Sequence, residues 1–221
     1  MFNESWPWKR ELLACAQRLR EAAEASSSTD WPPDVWADDY EDEVEAIYTI
    51  ERDIMMGCFA LRRLLGMPYK VTQEIRKKTV PVTIYPIREG QQPPDDFDAL
   101  DAFDLYNLDQ PSDQTITTQQ MCNLFIHSHV LHFAWELIDM SPEKSLTIDE
   151  NDPSINGPVQ LSGFFVATDI SSKTHLTRVD LESLTSAFEE MGRDNVVSIS
   201  WKLDHRGRRR IQSVKGGSFE E

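Results

Sequence analysis

Cysteine is scarce in this chain. Cys15, Cys58 and Cys122 are the only three in 221 residues; they are far apart, odd in number and without a C-x-x-C pair. That excludes a disulfide framework and points to buried thiols in a reducing compartment. Glycine is also thin on the ground. The nine glycines are scattered, with no G-x-x-x-x-G-K-[ST], dinucleotide fingerprint or G-x-S-x-G among them. A phosphate-cradling loop, a nucleophile elbow and an organic cofactor are therefore not expected. Long apolar runs are missing too: the most apolar stretch, residues 121–138, holds three histidines and a glutamate, which makes a poor membrane span. The first residues, Met1 to Ser5, have neither a basic nor an apolar signal-type region, so the expectation is cytoplasmic, with no membrane partner.

Positive charge is the remaining shortage. Lys and Arg number 22 against 38 Asp and Glu, for a formal net charge of −16. That argues against broad attachment to nucleic acid or anionic lipid. The charge is uneven, however. Residues 1–60 carry 5 basic and 14 acidic residues, whereas residues 151–221 carry 9 and 10. Acidic clusters from Asp38 to Glu45 and from Asp95 to Asp113 lack calcium-loop spacing and read as solvated surface. Apolar residues make up 40% and charged residues 27%, a globular composition able to bury a core.

Prolines and periodicity divide the chain. Helical spacing of Leu12, Leu13, Ala16 and Leu19 predicts a helix over about Trp8–Ala25. The serines 26–28 and Pro32–Pro33 break it, and a second helix is expected over about Asp38–Leu65, stopped by Gly66 and Pro68. A short helix over Thr72–Lys78 and a strand over Thr79–Ile87 follow, Pro81 and Pro86 placing that strand at a sheet edge. Residues 89–115 read as a long polar connection with a helical turn or two near Ala99–Leu108. Thr117 with Gln120 is a capping-box pattern, opening a helix expected to run to about Ile138. Beyond Pro142, strands are expected at Val159–Thr168 and His175–Val179, then a helix with Asp180 as N-cap and Gly192 at its end. Val196–Leu203 and Arg208–Val214 flank a hairpin turn at Asp204–Gly207. The expected class is α+β: an N-terminal helical bundle, then a mainly antiparallel sheet with one helix. Segments 1–37 (a Trp-rich helix and linker), 38–138 (a helical core) and 139–221 (a β-rich part packed on that core) are expected to form one integrated domain.

Two helices carry the candidate chemistry. On a helical wheel, Val44, Ile47, Tyr48, Met55, Cys58 and Leu65 share one face of the second helix, with Glu51 and Arg62 in its midst. A charge on a buried stripe must be paired, so these two either pair or face a polar site. The helix around residue 127 is apolar all round, as a buried or interface helix is. Two polar groups interrupt it: Asn123 with His127, and His129 with His132 and Glu136. The second group could ligate zinc through its i, i+3 and i+4 spacing, but it lacks H-E-x-x-H and a fourth ligand. Ordinary half-buried histidines are the expected outcome, and no metal site is expected.

The run Cys122-Asn123-Leu124-Phe125-Ile126-His127 resembles the R-N-x-x-x-H motif of the HEPN superfamily, with Cys122 at the arginine position. Those are helical domains of toxin–antitoxin, abortive-infection and CRISPR-associated proteins, many of them dimeric, metal-independent ribonucleases. The resemblance implies an RNA-directed or RNase-derived protein of a bacterial defence or toxin–antitoxin type system. It implies His127 as general acid/base, Asn123 as its orienting neighbour and Glu51 as an acid from an earlier helix, acting in a homodimer. A thiol lacks the fixed cationic donors that stabilise a pentavalent phosphate. Activity is then lost, or an arginine from elsewhere, Arg62 or Arg63, takes that place. Cys122–Ser128 and Gly163–Val166 are also similar to a group of bacterial proteins with a C-N-x-x-I-H-S core and a G-F-F-V strand, which adds an expectation of fold only. The other reading of Asn123 and His127 is a buried i, i+4 hydrogen bond.

Arg206, Arg208, Arg209 and Arg210 form the one dense basic cluster, able to contact RNA phosphate or to pair with the acidic front half. Strand alternation places Arg208 and Arg210 on one face and Arg209 on the other. Four of six tryptophans (Trp6, Trp8, Trp31, Trp36) lie in the first 36 residues, as a strap on the core or as an interface. The alternative to an RNA-directed protein is therefore a non-enzymatic interaction or regulatory subunit with a protein partner.

Overall fold

The computed structural model describes residues 4–26, 40–67, 69–95, 102–137 and 159–217. Trp31, Trp36, Pro32, Pro33, Asp38, Ile138 and Pro142 lie outside them, with whatever was expected there. Its elements are α1 (Trp6–Ser26), α2 (Tyr40–Leu65), α3 (Gln73–Arg76), β1 (Thr79–Pro86), β2 (Ser112–Thr117), α4 (Thr118–Ile126), β3 (Ser128–Leu137), β4 (Val159–Thr168), β5 (His175–Asp180), α5 (Leu181–Arg193), β6 (Val196–Leu203) and β7 (Arg209–Gly216). Short 3-10 turns at Phe103–Leu105 and Ser171–Lys173 join them. The class is α+β, and no helix among the described residues is long and apolar enough to cross a membrane.

Five strands form one antiparallel sheet in the order β2-β1-β5-β4-β3. One face carries α1, α2, α4 and α5 over the main core, which draws Leu12 and Leu19 from α1, Ile54 and Leu61 from α2, Phe125 from α4, Phe164 and Val166 from β4, and Phe188 from α5. Residues from all three sequence segments meet in it. The other face carries a smaller cluster in which the segment 102–108 covers Val130, Ala134, Phe165 and Leu176. Tyr106 is fully buried there and donates its hydroxyl proton to the Ser172 carbonyl at 2.9 Å. Gly57 lets α2 and α5 approach: a Cβ at that position would lie 2.2 Å from the Phe188 ring.

Several expectations change. The helix expected over Thr117–Ile138 ends at Ile126, and the chain continues as β3. The capping box is present, Gln120 N–H reaching Thr117 Oγ1 at 3.2 Å and Thr117 N–H reaching Gln120 Oε1 at 2.9 Å. Past residue 127, however, the side chains alternate. Val130, His132 and Ala134 lie toward the small cluster, and Leu131, Phe133 and Trp135 toward the helices. A strand buried on both faces is apolar all round, as a buried helix is, so periodicity alone does not separate them. The central segment is consequently not purely helical, since β1, β2 and β3 fall within it. Residues 112–115, expected in a polar connection, form β2 together with Ile116 and Thr117, an exposed edge strand with no apolar alternation to reveal it. β1 is internal rather than an edge. Residues 79–82 pair only with β2 and residue 86 only with β5, so Pro81 and Pro86 each sit where one neighbour is missing. Gly192 lies inside α5, against the Lys9 carbonyl and Leu13. Asp180 stands at the N-cap without a side-chain cap bond; its carboxylate lies 3.4 Å from Arg178 instead.

Candidate functional site

Helix α2 is rotated from its expected phase. Its buried face is Ile50, Asp53, Ile54, Gly57, Cys58, Leu61 and Leu64, while Val44, Ile47, Tyr48 and Phe59 are exposed. The charge that enters the core is Asp53, 2% exposed, and not Glu51. Arg18 of α1 meets it with a two-pronged fork, Nε to Oδ2 and Nη2 to Oδ1, both 2.8 Å. A planar guanidinium matches a carboxylate in this way, satisfying both oxygens of a group that could not stay buried alone.

Helices α2 and α4 lie side by side and meet at two successive levels. The first is inside: Cys58 and Cys122 are both fully buried, and burial first, then the Cys122 thiol beside it, pushes the Cys58 thiol well above its ordinary range. Position 122 thus faces the core. The second level lies one turn further along α2 and at the C-cap of α4, at the surface. There Arg62 Nη1 approaches His127 Nε2 at 3.4 Å, with the His127 side chain exposed. Arginine has donors only, so in this contact Nε2 must hold the lone pair and Nδ1 the proton. The His127 N–H closes the helix end on the Asn123 carbonyl at 3.1 Å. The Asn123 side-chain oxygen is buried with no hydrogen-bond partner.

The structure therefore brings Arg62 and His127 together, joins Asn123 to His127 through the backbone alone, and leaves Glu51 apart. Glu51 is exposed on α2, eleven residues before Arg62, which is about 16 Å along a helix axis. It cannot act on a group held between Arg62 and His127. Arg63, the other candidate arginine, is exposed next to Arg62.

His129, His132 and Glu136 do not converge. They lie on β3, with His129 at a break in its register with β4. The His132 ring packs on Phe103 at 4.9 Å, and Glu136 accepts from Arg178, a largely buried pair. No group of three or more metal-ligating side chains occurs among the described residues.

The arginine cluster forms as the alternation implied. Asp204 organises the hairpin tip: Oδ1 accepts from the backbone N–H of Arg206 and Arg208, each at 2.9 Å, and Oδ2 from Nε of Arg208 and Arg210. Those bonds, the Arg208 N–H foremost, hold the Asp204 carboxyl below the ordinary carboxylate range. Arg209 lies on the other face, its guanidinium 4.6 Å from the Trp201 ring. None of the four is paired with the acidic front half through any interaction described. At the N-terminus, Trp8 packs edge-on against Phe59 at 5.8 Å, while Trp6 is 63% exposed under Arg10.

Composition and spacing did not reveal the Arg18–Asp53 fork or the Arg178–Glu136 pair. The signal for the first was an Asp one turn before Gly57, among Ile50, Ile54 and Leu61, which only the correct helix phase brings out.

No match was found. Comparison with family models, with curated proteins and with solved structures found nothing similar to this chain.

Proposed function

We propose that the chain is an RNA-directed protein in which Arg62 and His127 form a phosphodiester site. The observation that carries this reading is the 3.4 Å approach of the two side chains at an exposed helix end. A guanidinium offers a fork to two non-bridging phosphate oxygens. Once Arg62 turns to the phosphate, the Nε2 lone pair of His127 is released to accept a proton from a 2′-hydroxyl. Attack of that hydroxyl on the phosphorus would release a 5′-hydroxyl and leave a 2′,3′-cyclic phosphate. Arg62 supplies the charge that position 122, turned into the core against Cys58, does not. The resemblance to HEPN proteins and a role in a defence or toxin–antitoxin type system belong to this same proposal.

The test is incubation of the purified protein with end-labelled single-stranded RNA in the presence of EDTA. Cyclic-phosphate products that vanish in both His127→Ala and Arg62→Ala support the reading. Binding that is lost in Arg62→Ala, without cleavage, supports an RNA-directed protein that has no nuclease activity. A wild type that neither binds nor cleaves removes the proposal.

A second reading, a protein whose function is to bind another protein, is favoured by the apolar side chains left open on α2 and on the β6–β7 hairpin.

A further inference from the structure

The two open apolar surfaces are complementary. On α2, Val44, Ile47, Tyr48, Met56 and Phe59 are 41% to 55% exposed, on a helix of otherwise ordinary amphipathic design. On the hairpin, Ile199, Trp201 and Leu203 lie on one face of β6, each at least 45% exposed, with Ile211 opposite Trp201 and the buried Val214 opposite Ile199; Val197, 51% exposed, stands at a break in the register. A two-stranded sheet has little stability of its own. Here one face of it is a row of large apolar side chains turned to water, the signature of a surface that is covered in use.

Length and charge both fit. Val197 to Leu203 extends about 20 Å at strand rise, and Val44 to Phe59 about 22 Å at helix rise. Residues 196–216 hold six basic residues to one acid, and residues 40–53 hold six acids to one Arg. The basic residues of the hairpin crowd at its tip, and the acids of α2 crowd in its first turns. Within one chain the described residues leave the two surfaces apart, each exposed.

We propose that the apolar face of the β6–β7 hairpin docks on the exposed stripe of α2 of a second copy of this chain. The arginine tip lies over the acidic first turns of α2 and Val197 lies toward Phe59. The interface has two unlike halves, hairpin and helix, so it is either reciprocal about a two-fold axis or continues head to tail. Burial of the apolar rows drives it, and the opposed charges fix its direction and its rate.

Mixing decides the matter. A hairpin variant, Trp201→Ser with Leu203→Ser, and a helix variant, Ile47→Ser with Tyr48→Ser, change only exposed side chains. Each is checked by circular dichroism, and all are weighed in solution by light scattering or sedimentation. The wild type is expected above the 25.4 kDa of one chain. Each variant alone is expected at one chain's mass. The mixture is expected to associate, because the helix variant keeps an intact hairpin and the hairpin variant an intact helix. A charge-reversed set, Arg209→Glu with Arg210→Glu against Glu45→Lys with Glu51→Lys, should behave the same way and serves if a serine variant folds poorly. A monomeric wild type at about 100 μM overturns the proposal, whether residues 27–39 or RNA occupy the stripe or the hairpin instead. So does a single-surface variant that still self-associates, which means like meets like, or a mixture that stays monomeric.

Discussion

Asp53 shows how one residue sets the relation of two helices. It is the carboxylate that α2 sends into the core, and Arg18 meets it with both prongs at 2.8 Å. Arg18 is itself partly exposed and also reaches Glu11, so the pair is a charge brought from the rim to a buried acceptor. Asp53→Ala removes the fork and leaves Arg18 to turn outward, a loss on the order of 2 kcal/mol. Chemical denaturation should show it as a lower midpoint at an unchanged slope. Gly57, one turn on, is a steric counterpart. Gly57→Ala places a methyl group inside the Phe188 ring and should cost about 1–3 kcal/mol by overpacking. Phe188→Leu in the same chain should relieve part of that cost, which a thermal melt of the three variants would show.

These residues also mark what the sequence made legible. Helix boundaries of α1, α2 and α5 were readable because caps, breaks and helical spacing are local. The phase of α2 was not. Large apolar residues lie on both faces: Ile50, Ile54, Leu61 and Leu64 are buried with Gly57, Cys58, Ala60 and Asp53, while Val44, Ile47, Tyr48 and Phe59 are left open. A wheel does not separate two faces that both carry large apolar side chains. Of the two arginines named as replacements for the missing motif arginine, Arg62 and Arg63, Arg62 is the one that approaches His127. Glu51 was selected from the same wheel and went astray with it.

At the scale of elements, the turn from α4 into β3 is the point where reading by pattern failed. Residues 118–126 and 128–137 are both rich in apolar side chains, and no Gly or Pro separates them. Tertiary pairing with β4 decides the outcome. The hairpin is the opposite case, legible as a turn and as two alternating rows before any contact was known. Its tip depends on one carboxylate. The Asp204 carboxyl is held below the ordinary range, so its stabilising bonds are complete above the unfolded-state value near 4 and fade as pH falls toward the folded value. Hydrogen exchange should therefore show β6 and β7 amides opening sooner as pH is lowered through that window, after correction for intrinsic rates. Asp204→Ala should open them at neutral pH, with the amides of β4 and β5 unchanged.

For the molecule as a whole, the charge of −16 is not resolved inside the chain. Three cations of the front half turn toward α5 and its C-cap: Arg20 meets Glu182 and Glu189, Lys9 donates to the Asp194 carbonyl, and Lys78 reaches Glu190 at 2.5 Å. They answer acids of the back half, and none of these contacts joins the acidic start of α2 to the hairpin arginines. The folded chain therefore keeps a strongly negative helix end, a basic hairpin and a large net repulsion. Added salt screens both the repulsion within a copy and the attraction between copies, over about 10 Å at 0.1 M. The two effects have opposite signs in two measurements. Raising sodium chloride from about 0.02 to 0.3 M should raise the melting temperature of the monomeric hairpin variant, because self-repulsion opposes the compact state. The same change should shift the wild type toward single-chain mass, because the opposed charges that align hairpin and helix are weakened. A melting temperature that falls with salt would mean that the internal ion pairs outweigh the net repulsion, and that the acidity of this surface is already balanced within the fold.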